Sequence, residues 1–211
     1  SGPEYFEAMF AAYKVRAVPI NVNYRYVEDE LAHLFEDADL VGVLVHRSLA
    51  TRADNGRDRV PGVRWWGAVE DGETGGTVSG EVAYGEVIGS SSPDRPQLDR
   101  SGDDRYVLYT GGTTGLPKGV VRRQEDAFFA CIGGGGAERP AGPGTEPAQM
   151  LDRILDGSFV FLPVAPLMHA AGQWTSLSWL FCGGTVVLLR GSLDPELVWR
   201  TIQDQAVNLI T

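Results

Sequence analysis

Lysine is nearly absent: in 211 residues only Lys14 and Lys118 occur, so any chemistry that needs an ammonium group has two candidates. Basic residues as a class are outnumbered, 18 Lys and Arg against 28 Asp and Glu, for a net charge of -10. That balance excludes a nucleic-acid partner, because gripping a phosphate backbone requires a surplus of cations. Cysteine is equally sparse. Cys131 and Cys182 stand alone, without C-x-x-C or Cys/His metal spacing, and are expected to be reduced, buried small residues of a cytoplasmic protein. No long hydrophobic run exists: the stretch Leu177 to Leu189 is broken by Gly183-Gly184 and contains Ser and Thr, which predicts no transmembrane segment. No signal peptide is visible, and the chain opens without an initiator Met, which predicts processing or excision from a longer protein. A hydrophobic content of 43% and a charged content of 22% are ordinary for a soluble globular protein. The length fits one domain or part of a larger one. Homo-oligomerisation is left open.

What is present is concentrated at Leu108-Tyr109-Thr110-Gly111-Gly112-Thr113-Thr114-Gly115-Leu116-Pro117-Lys118-Gly119. Arg105 to Tyr109 alternates polar and apolar residues and predicts a short strand, after which the glycines begin a loop. Gly111, Gly112 and Gly115 can take positive φ and lack a Cβ, so backbone N–H groups can close around an anion. Thr110, Thr113 and Thr114 add hydroxyl donors, and Lys118 adds a flexible point charge suited to a phosphate chain. Each charge-assisted hydrogen bond contributes about 1.5–3 kcal/mol, so several together suffice for a triphosphate. Lys118, Arg122 and Arg123 form a local basic cluster in an otherwise acidic chain, although a solvated strand edge explains the arginines equally well.

The P-loop of nucleoside triphosphatases is excluded, since that pattern needs Gly before Lys and Ser or Thr after it. Here Pro117 precedes the lysine and Gly119 follows. Pro117 also favours an extended Leu116, which prevents a helix from starting there. The dinucleotide pattern G-x-G-x-x-G is absent from the loop. The run Tyr109 to Gly119 instead resembles the signature of the adenylate-forming superfamily of acyl-CoA synthetases, luciferases and peptide-synthetase adenylation domains. One residue departs from it: many members carry Ser or Thr where this chain has Gly111, so one hydroxyl contact is missing. An upstream segment, Lys14-Val15-Arg16-Ala17-Val18-Pro19-Ile20-Asn21-Val22-Asn23-Tyr24-Arg25-Tyr26 leading to Glu30-Leu31, is also similar to the acyl-CoA synthetases of that superfamily. Asn23 and Arg25 read as structural there.

Read in order, Pro3 with Glu4 and Glu7 opens a helix that ends near Lys14-Val15. Ala17 to Ile20 reads as a short apolar strand, Val27 to Asp37 as a helix, and Leu40 to Val45 as a buried strand, the cadence of an α/β sheet. From Thr51 to Asp104 a Gly, Ser, Pro and Asp-rich surface excursion is expected, with an edge strand at Val63 to Trp66; Trp65 and Trp66 read as packing. Ser101-Gly102-Asp103 superficially matches the Gly-Asp pair with which the superfamily holds ribose, but it precedes the loop instead of following it. Val120 to Arg122 completes a strand or hairpin. Glu125 to Ile132 is expected to be a helix ended by Gly133 to Gly136, followed by a Pro/Gly-rich loop from Ala137 to Glu146 and a helix from Pro147 to Leu155.

A second informative stretch runs from Phe159 to Gly172. An apolar strand meets Pro163 and Pro166, then His169 at the head of a helix spanning Ala170 to Phe181. A helix N-terminus disfavours protonated imidazole, so His169 is expected to be neutral. Thr185 to Leu189 reads as a buried strand, Asp194-Pro195 starts a helix through Gln205, and Ala206 to Thr211 begins another strand, which predicts that the chain is cut there. This stretch resembles the superfamily's Pro-Leu-aromatic-His-x-x-Gly element, which lines the carboxylate tunnel. The resemblance implies that His169 shapes an acyl pocket and that Gly172 leaves room beside it, with Met168 in place of the usual aromatic.

The resemblance further implies an α/β fold of mostly parallel sheets flanked by helices, with residues 1–211 forming part of the large N-terminal adenylation domain; the rest of that domain and the C-terminal domain are absent. The implied reaction activates a small-molecule carboxylic acid with ATP and Mg²⁺ to an acyl-adenylate and then to acyl-CoA. Thr110, Gly111, Gly112, Thr113, Thr114, Gly115 and Lys118 would bind the ATP phosphates, with Thr110 also meeting the metal. The runs Tyr106 to Gly112 and Arg123 to Phe129 look most like actinobacterial fatty-acyl and steroid side-chain acyl-CoA synthetases. The superfamily's Tyr-Gly-x-Thr-Glu motif, ribose aspartate, hinge and C-terminal catalytic lysine have no counterpart here, so the chain alone is expected to be inactive. The alternative is a non-catalytic module that keeps the sheet as a scaffold or as a nucleotide-binding domain.

Overall fold

The computed structural model describes residues 2–112, 115–132, 144–153, 157–191 and 193–211. The chain divides into two compact units: Ile20–Leu98 with Val107–Val120, and Ser1–Pro19 with Asp99–Tyr106 and Val121–Thr211.

The unit containing Ile20–Leu98 is built on a parallel sheet. Helix α2 (Glu28–Asp37) places Leu31, Ala32, Leu34 and Phe35 on its buried face, and its start is closed by the Glu30 carboxylate accepting from the Val27 N–H at 3.0 Å. Strand β1 (Gly42–His46) pairs in parallel with β2 (Trp65–Val69), which pairs in parallel with β3 (Val82–Ala83), in the order β1-β2-β3. Phe35 meets the Trp66 ring at 6.2 Å within a core that also holds Leu31, Leu34, Val43, Ala50, Val60, Val78 and Tyr109. Trp65 lies over the glycines of its own sheet, since a Cβ on Gly67 would come within 2.5 Å of its indole. Both tryptophans are therefore packing residues.

The expected excursion from Thr51 to Asp104 is more ordered than its composition suggests. It contains α3 (Ala50–Asn55), β2, β3 and α4 (Tyr84–Ser90). The expected edge strand is instead the central one, with four of its five residues buried, so it lacks the alternation of a half-exposed strand. The turn that follows is pinned by Arg47, whose guanidinium bonds Glu70, Glu81 and the Gly76 carbonyl. The strand expected at Ala17 to Ile20 does not form; Pro19 supplies no N–H for a ladder.

The other unit begins with α1 (Glu4–Lys14), which buries Phe6 and Met9. Its sheet has the order β7-β6-β8, in which β6 (Val160–Leu162) pairs in parallel with β7 (Thr185–Val186) and with β8 (Leu209–Ile210). Helices α6 (Ala170–Phe181) and α7 (Pro195–Asp204) make the crossovers. Trp179 stacks on Phe159 at 5.2 Å, and Phe181 meets Phe10 and Phe128, the latter on α5 (Gln124–Ala130). The strand expected through Leu189 is shorter and only half-buried. Pro147–Arg153 is a 3₁₀ helix in place of the expected α-helix, and Leu155 and the Gly133 to Gly136 run lie outside the described residues. Cys182 is buried as expected, its thiol donating to the Ser178 carbonyl at 2.7 Å, whereas Cys131 is half-buried. Among the described residues no helix is long and apolar enough to cross a membrane.

Candidate functional site

The glycine- and threonine-rich stretch lies on a separate two-stranded sheet, β4 (Arg105–Gly112) and β5 (Gly115–Arg123). Gly111 and Gly112 thus continue the strand where a loop was expected, and neither Gly111 nor Gly115 has a positive φ. Extended backbone suits any residue, so left-handed geometry is not the reason for glycine here. Crowding is not the reason either: a Cβ on Gly115 would meet nothing within 4 Å, and one on Gly111 only the Tyr26 hydroxyl at 3.8 Å. Thr110, Gly111, Gly115 and Lys118 are exposed on this strand pair, while Thr113 and Thr114 lie outside the described residues. The two-residue period of β5 turns Pro117 inward, where it is fully buried, and Lys118 outward. No ion pair among the described residues involves Lys118. Arg123, in contrast, is held by Asp103, Glu125 and Asp126, which makes it a surface ion-pair residue. The same contact gives Asp103 a structural partner.

Three polar side chains that sequence reasoning passed over hold this strand pair. Asn21, 6% exposed, accepts from the Tyr109 N–H at 2.7 Å and donates to the Tyr109 carbonyl at 3.0 Å. Its amide serves as a one-residue strand, satisfying both backbone groups beside Thr110. The Tyr109 hydroxyl donates to the Asp37 carboxylate at 2.5 Å; burial, followed by that carboxylate, pushes the phenol well above its ordinary pKa. On the other strand, His33 Nε2 bonds the Pro117 carbonyl at 3.2 Å, next to Lys118. Gly119 allows the Tyr109 ring to lie across β5, since a Cβ there would be 3.0 Å from the ring. A signal did exist in the sequence: Asn21 is a lone amide in the apolar run Val18 to Val22, and His33 and Asp37 stand four apart on one helix.

His169 and Gly172 share one turn in the other unit. His169 is the residue before α6, its carbonyl accepting from the Gln173 N–H at 2.9 Å, and its side chain is exposed. Met168 and Leu167 beside it are buried. Gly172 has a packing reason to be glycine: a Cβ would lie 2.3 Å from the Ala165 carbonyl and 2.6 Å from that of Pro166. Behind the turn runs a buried relay. Trp174 Nε1 donates to the Tyr106 hydroxyl at 2.6 Å, Tyr106 donates to the Gln173 Oε1, Gln173 Nε2 donates to the Tyr5 hydroxyl at 2.7 Å, and Tyr5 donates to the Leu167 carbonyl at 3.0 Å. Burial pushes the Tyr106 phenol up to about 12 even against the Trp174 hydrogen bond. Because every donor finds an acceptor, the relay fixes the turn that carries His169.

The family model described as AMP-binding enzyme matches residues 1–211. The chain belongs to the AMP-binding enzyme family. Among relatives in that family, the 3-oxocholest-4-en-26-oate–CoA ligase of Rhodococcus rhodochrous is 39% identical over 98% of this chain and 37% of its own length. The medium-chain acyl-CoA ligase Mig of Mycobacterium avium is 36% identical over 100% of this chain and 39% of its own length. The chain therefore spans well under half of these AMP-binding relatives. In fold it is similar to the N-terminal domain of FACL13 from Mycobacterium tuberculosis, with a TM-score of 0.74 at 22% identity over 100% of this chain and 47% of that one. It is also similar to the anthranilate CoA ligase AuaEII, with a TM-score of 0.79 at 17% identity over 99% of this chain and 38% of that one.

Proposed function

We propose that residues 1–211 form part of the adenylation domain of an ATP-dependent acid–CoA ligase, and that the β4–β5 strand pair is its phosphate grip. The placement of Lys118 carries this: an exposed cation, uncommitted to any described carboxylate, on strands where Gly111 and Gly115 answer to no crowding among the described residues. Bare amides at Gly111, Gly112 and Gly115 admit phosphate oxygens, Thr110, Thr113 and Thr114 supply hydroxyls, and Lys118 supplies charge. Charge building on the departing pyrophosphate would be met by these fixed donors. The acid would lie beside the turn that exposes His169, with Gly172 letting that turn close on the Ala165 and Pro166 carbonyls. Relatives named for a steroid-derived acid and a medium-chain acyl group favour a fatty or steroid side-chain acid, with CoA as the thiol acceptor.

Magnesium would accompany ATP, the Thr110 hydroxyl supplying one of its six oxygens and the ATP phosphates and water the others. Among the described residues no group of three His, Cys, Asp or Glu could hold a metal.

Calorimetric titration of ATP into the 211-residue chain tests the proposal. The wild type is expected to bind, and Lys118→Ala to weaken binding about 10- to 100-fold, the worth of one charge-assisted contact. Equal affinity of the two proteins would overturn the Lys118 grip, and no ATP binding by the wild type would favour the scaffold alternative.

A further inference from the structure

We propose that Asn21, His33 and Asp37 are positioning residues that clamp both strands of the β4–β5 pair and so aim its phosphate-binding face; this rests on the phosphate grip proposed above. The three contacts reach the two residues that directly precede Thr110 and Lys118. Asn21 takes both backbone groups of Tyr109, the residue before Thr110. Asp37 takes the hydroxyl of the same tyrosine. His33 takes the carbonyl of Pro117, the residue before Lys118.

A two-stranded ribbon standing apart from a larger sheet is marginal by itself and free to twist and slide. Here α2 supplies two of the clamps from adjacent turns, and the segment preceding it supplies the third. Removing one leaves the core of its unit intact, because Leu34, Phe35, Val43 and Trp66 pack without it. What changes is the angle at which Thr110 and Lys118 leave their strands. A preorganised grip loses affinity when its donors must be ordered on binding.

His33→Leu removes the donor while keeping the volume, and His33→Gln restores a donor of similar reach. Asn21→Asp is isosteric, keeps the acceptor for the Tyr109 N–H and sets an oxygen against the Tyr109 carbonyl. The variants and the wild type are compared by tripolyphosphate titration, by thermal melting, and by the ¹⁵N–¹H resonances of Gly111, Gly115 and Lys118 without ligand. His33→Leu and Asn21→Asp are expected to shift or broaden those resonances and to weaken tripolyphosphate binding at least tenfold at a temperature where both remain folded; His33→Gln should bring both readouts back to within twofold of the wild type. Unmoved resonances in His33→Leu and Asn21→Asp would overturn the clamp, as would a loss that follows only the folded fraction and is not rescued by His33→Gln. If the wild type binds no tripolyphosphate, the phosphate grip fails by itself while the ligand-free resonances still decide whether the clamp exists.

Discussion

At the scale of single residues, Lys118 and Gly111 carry the most consequence. Lys118 stands out in the sequence because only Lys14 competes with it and because Pro117 and Gly119 fix its context, and its exposure on β5 agrees with the proposed role. The conformation of Gly111 was not, since a glycine run is compatible with both a turn and a strand, and the choice is made by pairing with β5. Because Gly111 is extended and has only Tyr26 near the direction of a Cβ, Gly111→Ser is expected to leave stability within about 0.5 kcal/mol of the wild type. If the added hydroxyl reaches phosphate, ATP affinity rises up to about tenfold; calorimetry and a thermal melt check the two halves. Gly172 shows the opposite case. The sequence suggested space for a substrate, and the Ala165 and Pro166 carbonyls supply a packing reason that no spacing pattern reveals.

Among elements, helices were far more legible than strands. α1, α2, α6 and α7 fall within a residue or so of their expected bounds, because caps and the 3.6-residue period mark them locally. Strands depend on neighbours, so Val63 to Trp66 passed for an edge where Trp65–Val69 is central, and Ala17 to Ile20 passed for a strand. Helix exits hold a further surprise. α1, α2 and α7 end on the left-handed non-glycine residues Arg16, Asp39 and Ala206, with φ of 61°, 47° and 51°. Each closes the same pattern, as where Ala17 N–H reaches the Ala12 carbonyl and Val207 N–H reaches that of Ile202. Arg16 is compensated by its two-pronged pair with Asp104, which draws that carboxyl below its ordinary range. For Ala206 no side-chain contact offsets the strain. Ala206→Gly is therefore expected to stabilise the unit by about 1 kcal/mol, raising the melting temperature by about 2–4 °C; the same change at Arg16 would forfeit the pair with Asp104. A lowered melting temperature in Ala206→Gly would show that glycine's unfolded-state entropy outweighs the relief.

For the molecule as a whole, the α/β class was legible from the alternation of elements and the mostly parallel sheets from the family resemblance, whereas the division into two units was not. The first 19 residues pack with the last 91, a long-range choice that local patterns do not encode. The lysine inventory bears on catalysis at this scale. With Lys14 at the end of α1 and Lys118 on the strand pair, no lysine remains for a second catalytic role. Carboxylate-dependent exchange of pyrophosphate into ATP by the 211-residue chain is accordingly expected to stay at background, and measurable exchange would refute that expectation. The most direct test of the central claim is to follow the backbone amide resonances of the chain while ATP, and in parallel adenosine, is added. The account predicts that ATP moves the amides of Thr110, Gly111, Gly115 and Lys118 and that adenosine leaves them in place. Equal shifts from both, or shifts from ATP that spare those four residues, would contradict it.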